Sequence, residues 1–242
     1  MTPYAVISDV HSNLHALSAV IKDIEERGIA DIYFAGDIVG YGPRPNECID
    51  IITQRCKILI AGNHDWAVIG YTDTEYFNEI ALRAIEWTRE QITDKHMEDI
   101  RAFKLFKSDH ERNAMFVHAT PKDPDNWDYL FSLTNAEVNF RSFGQKFCFV
   151  GHSHTPVIIE NAGMGNMSTI WDKTEIKEAT RYIVNVGSVG QPRDGDTRSS
   201  YAVVDDSAIE IIRVPYDVEK TQEEMADANL PARLIERLSY GH

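Results

Sequence analysis

The chain has 242 residues, 43% of them hydrophobic, which is enough for one substantial core and too few for several large domains. Its formal net charge is −14 and no run of Lys or Arg breaks the acidic balance, so a long nucleic acid is disfavoured as a partner. A small anion is not excluded, because cations gathered inside a cleft invert the field there.

Tyr4 to Ile7 form a short apolar run, and from Ser12 the spacing of Leu14, Leu17, Ile21 and Ile24 predicts an amphipathic helix that ends at Gly28. Ile32 to Ala35 form a second run that stops at Gly36-Asp37. After a Gly/Pro-rich loop, Gly40 to Pro45, a short helix carries Ile49 and Ile52, and a third run, Ile58 to Ala61, stops at Gly62-Asn63. Strand alternating with helix at these lengths predicts right-handed crossovers and a largely parallel sheet. Residues 75–106 read as helix in two pieces that cover a sheet face or cap a cleft. Strands are expected at Met115 to Val117, Phe147 to Val150, Tyr182 to Val186 and Tyr201 to Val204, the last in a hairpin with Ile209 to Val214. Thr134 and Glu137 have capping-box spacing for a short helix ending near Phe143. Residues 161–180, with two glycines and mixed polarity, give no clear element, and the tail at about 219–240 reads as one surface helix. With no repeat, linker or low-complexity tract, residues 1–242 are expected to form a single domain.

Cys48, Cys56 and Cys148 form no C-x-x-C pair and leave an odd thiol, which suits buried structural thiols in a reducing compartment. The first nine residues lead directly into a strand-like segment, without the basic and long apolar stretches of a secretory signal. No apolar run reaches membrane-spanning length, so the expectation is a cytoplasmic protein without a membrane partner. Oligomeric state has no signature in the sequence.

Side chains able to bind metal recur just past strand ends: Asp9 and His11, Asp37, Asn63 and His64, His118, then His152 and His154. In parallel sheets such positions converge on one edge. Five of the nine histidines lie there, while His15, His96, His110 and His242 fall on helices, a loop or the terminus. One histidine after a strand would more often be structural; five in phase with strand ends, interleaved with Asp and Asn, point to ligands. Two divalent ions about 3.5–4 Å apart can polarise a phosphoryl oxygen and hold a hydroxide for in-line attack, provided an anionic ligand bridges them. Imidazole mixed with carboxylate suits manganese, iron or zinc better than magnesium or calcium.

The blocks "SDVHSN", "FAGDIVG", "AGNHD", "FVHAT" and "VGHSHTP", in this order and context, resemble the motif series of the calcineurin-like metallophosphoesterase family over roughly Tyr4 to Arg193. The resemblance implies an α/β fold, an αββα sandwich of two mixed sheets flanked by helices. It also implies that Asp9, His11 and His154 bind one metal, that Asn63, His118 and His152 bind another, and that Asp37 bridges them, with manganese the first expectation and iron or zinc next. His64 would stand near the leaving-group oxygen, oriented by Asp65, or merely hold a neighbouring ligand. Asn13 either touches substrate or caps the first helix. Ala119, Ser153 and Val186 depart from residues common in relatives, but none removes a ligand. Gly40-Tyr41-Gly42 stand where protein phosphatases and symmetrical dinucleotide tetraphosphatases usually have an Asp-Arg-Gly type block, so the phosphate-holding arginine of those groups is missing. This points to the small bacterial and archaeal phosphodiesterase-like branch.

Arg193 either contacts phosphate through its paired donors or bridges to Asp194 or Asp196. Tyr41 is expected in the substrate cleft, and Trp87 in the core. The expected function is metal-dependent hydrolysis of a small phosphate ester, with a diester somewhat favoured over a monoester. The alternative is a metal-binding scaffold or sensor of the same fold without significant turnover; the filled ligand positions argue against it.

Overall fold

The structure is a computed structural model that describes residues 2–75, 77–130, 132–163 and 165–242. Two six-stranded mixed sheets stack face to face with helices outside. In the first sheet, β1 (Tyr4–Ile7), β2 (Asp31–Phe34) and β3 (Cys56–Leu59) run parallel, linked by α1 (Leu14–Glu26) and α2 (Pro45–Arg55). The antiparallel hairpin β11 (Ser199–Val204) and β12 (Ala208–Val214) joins β1, and β9 (Lys173–Glu175) forms the far edge. The second sheet has parallel β5 (Ala114–Val117), β6 (Phe147–Val150) and β10 (Arg181–Asn185) at its centre. Antiparallel β4 (Phe106–Asp109) flanks them on one side, and β7 (Val157–Asn161) with β8 (Met167–Ile170) on the other.

The period-two pattern explains the layers. Tyr4, Val6, Tyr33, Phe116, Phe149 and Val184 point between the sheets, where Tyr33 stacks on Phe116 at 4.7 Å. Their neighbours Ala5, Ile7, Ile32 and Phe34 face α1 and α2, and Cys148, Val150 and Ile183 face α6 (Leu133–Phe140). Burying both faces of the central strands produces the continuous apolar runs seen in the sequence.

Several expectations are corrected. Phe106 starts a strand rather than ending a helix; the helices of that region are α4 (Glu79–Gln91) and α5 (Asp94–Arg101), which cover the first sheet through Ile85 and Ile100. Ser132, not Thr134, caps α6, accepting from the Asn135 N–H at 3.1 Å. The unread stretch holds β8 and β9. The tail is two helices, α7 (Val218–Asp227) and α8 (Ala232–Arg237), broken at Leu230-Pro231. Its Met225, Leu230, Leu234 and Leu238 are buried against Tyr41, Ala81 and Ala84, so the tail packs beside the strand-end edge of the sheets. All three cysteines are free, Cys48 and Cys148 buried and Cys56 partly so. Among the described residues, no helix is long and apolar enough to cross a membrane.

Candidate metal centre

The carboxyl ends of β1, β2, β5 and β6 and the start of α3 (Asn63–Ile69) meet at one edge. The chain turns sharply at each strand end: Asp9, His11, Asp37, His152 and His154 have φ of 53, 47, 57, 65 and 58°. Left-handed backbone is uncommon outside glycine, and Asp and His tolerate it better than most. The turns are cross-braced: Asp9 N–H donates to the Gly36 carbonyl at 2.8 Å, His11 N–H to Asp37 at 3.1 Å, and Gly151 N–H to His118 at 2.8 Å. The Asp9 carboxylate in turn accepts from the His152 N–H at 3.0 Å, which ties the two sheets together. Gly62 and Gly151 allow the closest approaches, since a Cβ at either would overlap the carboxylate of Asp37 or Asp9.

Asp9 and Asp37 are 0% and 1% exposed. The Asp9 Oδ1 lies 3.2 Å from His154 Nε2 and 3.7 Å from His11 Nε2. The Asp37 Oδ2 lies 3.6 Å from His11 Nε2 and 3.3 Å from His118 Nε2, between the two groups of imidazoles. Potential ligand atoms fall into three close sets: Asp9, His11 and His154; His11, Asp37 and His64; Asp37, His118 and His152. Asn63 stands at the first turn of α3 with its buried Oδ1 unpartnered.

The tautomers test whether these groups fit metal ions. His11, His118 and His154 each direct Nδ1 at a backbone carbonyl, of Val39, Ala35 and Gln191 at 3.0, 2.9 and 2.6 Å. A carbonyl only accepts, so Nδ1 carries the proton and Nε2 carries a lone pair. The Nε2 atoms of His11 and His154 therefore present lone pairs to one another at 3.1 Å. Nε2 of His118 is buried and unpartnered. His152 uses Nε2 to donate to the Trp127 carbonyl at 2.9 Å, freeing Nδ1. Facing lone pairs and two buried carboxylates make a site for positive charge. Burial, then the charge of neighbouring His118, lowers the His152 pKa to about 4, and burial, then Arg193, lowers that of His154 to about 3, so both rings are neutral donors near neutral pH. Burial opposes protonation of His118, yet Asp37 and Asp9 raise its pKa to about 9, so without a cation a proton takes the Nε2 lone pair near neutral pH, another sign that the pocket attracts positive charge.

A family model for the calcineurin-like phosphoesterase superfamily domain matches residues 3–208. The chain belongs to this superfamily. It is 42% identical over 241 residues to an uncharacterized protein of Methanocaldococcus jannaschii, spanning 98% of this chain and 97% of the relative. It is similar to the crystal structure of a metallophosphoesterase from Sphaerobacter thermophilus, with a TM-score of 0.88, 38% identity and coverage of 100% and 99% of the two chains. A hypothetical protein from Pyrococcus horikoshii OT3, 20% identical, shares the fold at a TM-score of 0.81, again covering 100% and 99%. The family's two mixed sheets between helices are the architecture observed, and its metal dependence accords with the clustered His and Asp side chains.

Within this calcineurin-like frame the remaining expectations separate. His64 is buried beside the cluster, its ring 4.9 Å from that of His11 and 5.1 Å from that of Phe77, with Nδ1 unpartnered. Asp65 does not orient it. Instead its two oxygens accept four backbone N–H groups, from Asp37 and Gly62 at 3.0 and 2.9 Å and from Ile38 and Val39 at 2.9 and 3.2 Å. Burial and the charge of Asp37 push Asp65 up to about 7, but all its lone-pair directions are occupied by donors, which requires the carboxylate. Asp65 thus positions the loop that carries Asp37. Asn13 resolves to a cap: Oδ1 accepts from Ala16 N–H at 3.1 Å and from Thr221 at 3.2 Å, and Nδ2 donates to Gly190 at 2.9 Å.

Tyr41 lies at the cleft, its ring 4.5 Å from both His11 and His64. Arg193 donates to the Tyr41 hydroxyl at 3.3 Å and to Gln191 at 2.9 Å, while Asp194 and Asp196 pair with Arg213 and Arg198 instead. Trp87 packs with the helices, as expected. The sequence reading missed Trp127 and Tyr129: Trp127 offers His152 its carbonyl, and the Tyr129 ring stacks on His152 at 4.2 Å. Both line the cavity of about 280 Å³ over the cluster, in a loop whose sequence carries no periodicity.

Proposed function

We infer that the chain is a dinuclear phosphoesterase acting on a small phosphate ester, with a diester favoured. The carrying observation is the Asp37 Oδ2 facing His11 Nε2 and His118 Nε2 at once, one carboxylate shared by two groups of lone-pair donors. Asp9, His11 and His154 would hold one ion and Asn63, His118 and His152 the other, with Asp37 common to both. Bound divalent ions, manganese first and iron or zinc next, supply Lewis acidity toward a phosphoryl oxygen and toward water.

The protein's own groups do the rest. His64, whose side chain lines the cavity, donates a hydrogen bond to the leaving-group oxygen. Tyr41, Trp127 and Tyr129 wall the cavity and exclude water around the ester. The missing Asp-Arg-Gly type block and the open cleft favour the diesterase reading over a dedicated protein phosphatase. Three free thiols and the acidic surface fit a cytoplasmic setting and a small-molecule partner rather than a nucleic acid.

The test is metal quantification together with hydrolysis of bis-p-nitrophenyl phosphate and p-nitrophenyl phosphate in manganese. About two equivalents and turnover are expected. Asp37→Asn should lose both ions and activity, whereas His64→Ala should keep the ions and slow turnover by about 10²–10⁴. A normally active Asp37→Asn protein would refute the shared ligand. Metal-free, inactive wild-type protein would favour a scaffold of the same fold.

A further inference from the structure

Beside the metal centre lies a second cavity of about 500 Å³, which shares Tyr41, Asn78, Ala81 and Tyr129 with the first. The two therefore adjoin, with these four side chains between them. Arg193, Arg233 and Arg237 line the second cavity, the last two from successive turns of α8 on the same helix face. Among the described residues, no Asp or Glu carboxylate lies within 4.0 Å of any of these guanidinium groups, whereas Arg27, Arg44, Arg112 and Arg213 each have one. Glu79, which also lines the cavity, pairs with none of them. In a chain of net charge −14, three arginines around one hollow without an Asp or Glu partner need an explanation; Arg237 gives its Nε to the backbone oxygen of His242, which leaves its outer nitrogens toward the cavity side and Gln191.

We propose that Arg193, Arg233 and Arg237 form an anion subsite for a second phosphate of the substrate, so that the substrate class is a phosphate ester bearing another phosphate beyond the scissile one. This rests on the phosphoesterase reading of the metal centre. Arg193 carries the connection: it donates to the Tyr41 hydroxyl, and the Tyr41 ring is 4.5 Å from His11 and His64, so one aromatic ring separates subsite from centre. The Arg193 Nε is buried and unpartnered. Arg237 is held by Gln191 Oε1 at 3.2 Å, the same oxygen that accepts from Arg193 at 2.9 Å, which brings the two guanidinium planes together. Burial, then the proximity of Arg193, lowers the Arg237 pKa to about 10, which leaves it charged at neutral pH and strained by its like-charged neighbour. A phosphate dianion between the groups relieves that repulsion and accepts their paired donors. The same cradle explains how a chain without the Asp-Arg-Gly arginine still holds an anionic substrate: the cationic donors come from the other side of Tyr41.

The test uses full-length, metal-loaded protein and two probes of one base, adenosine monophosphate and adenosine 3′,5′-bisphosphate, titrated calorimetrically before phosphate is released. The wild type should bind the bisphosphate at least tenfold more tightly. Arg233 is exposed and makes no hydrogen bond among the described residues, so Arg233→Glu should leave the fold intact yet abolish the preference, while Arg233→Lys should keep most of it. No preference in the wild type, or an undiminished preference in Arg233→Glu, overturns the subsite. Hydrolysis of bis-p-nitrophenyl phosphate is followed in parallel: turnover without preference leaves the phosphoesterase standing and removes the subsite, whereas preference without turnover does the reverse.

Discussion

Asp65→Asn is the most informative perturbation of the frame around the candidate metal centre. The carboxylate accepts two N–H groups on each oxygen and is wholly buried. An amide oxygen in place of Oδ1 still accepts from Ile38 and Val39, but the amide NH2 then meets the N–H groups of Asp37 and Gly62, donor against donor. Each buried donor left without an acceptor costs about 1–3 kcal/mol, or about 2–6 kcal/mol for the pair. Relief of the repulsion between Asp65 and Asp37 offsets part of this, so the expected loss is about 2–4 kcal/mol. For a chain of this size that lowers Tm by on the order of 5–15 °C. Asp65→Ala, which orphans all four donors, should fall further. Thermal unfolding with metal content measured on the same samples reads both consequences, because the freed loop carries Asp37. A variant with wild-type Tm and full metal content would refute the view that Asp65 acts through the loop, and would reopen a direct role beside His64.

Two further outcomes are expected. Gly62→Ala adds a Cβ into the Asp37 carboxylate, so the stoichiometry of bound metal should drop well below that of the wild type while far-UV circular dichroism stays unchanged; retained metal would show that the turn yields. Asp31, at the edge of β2, has its pKa lowered first by the Lys57 hydrogen bond, against burial, with Arg112 adding to the effect. A lowered folded-state pKa means that the pair stabilises fully above the unfolded value of about 4 and loses that contribution as pH falls through the lower folded value. The Tm gap between wild type and Asp31→Asn should thus be widest near pH 7 and close in acid; a gap independent of pH would contradict the ion-pair account.

The parts of the fold legible in the sequence are those whose signal is local. β1, β2, β5, β6 and β10 announce themselves as apolar runs because both of their faces are buried, and α1 because one of its faces is. β8 and β9 do not, since they are edge strands with exposed positions such as Ser168, Thr169 and Lys173, whose pairing is supplied by the neighbouring strand. The tail reads as one helix because the 3.6 period continues across Leu230-Pro231; only the buried Leu234 and Leu238 reveal that its second part packs against Tyr41. Side chains of the candidate metal centre were visible because they follow strand ends. Their partners were not: the carbonyls of Ala35, Val39, Trp127 and Gln191, which set the tautomers, are backbone atoms that any residue could provide. Asp65 was misread for a related reason. Its place next to His64 in sequence suggested a partner, but at the start of α3 its side chain points back along the helix toward the loop of Asp37.

The left-handed residues connect the site to stability. Asp9, His11, Asp37, His152 and His154 each hold a positive φ, and such a conformation costs on the order of 1 kcal/mol or more per non-glycine residue. Glycine at these positions would remove the strain and the candidate ligand together, so on the proposed reading the cost is inseparable from the chemistry. It is borne by buried β1, β2 and β6 and by the bonds that tie one strand end to the next, such as Asp9 to Gly36 and Gly190 to Asp9. Strain spread over three strand ends and braced in this way cannot relax at one loop without disturbing the others. The candidate ligand atoms are therefore already gathered in the protein alone, with lone pairs opposed at 3.1 Å between His11 and His154. Cations held there would compensate charge without ordering any new segment, and by linkage their binding energy would add to the stability of the same strand ends that carry the strain.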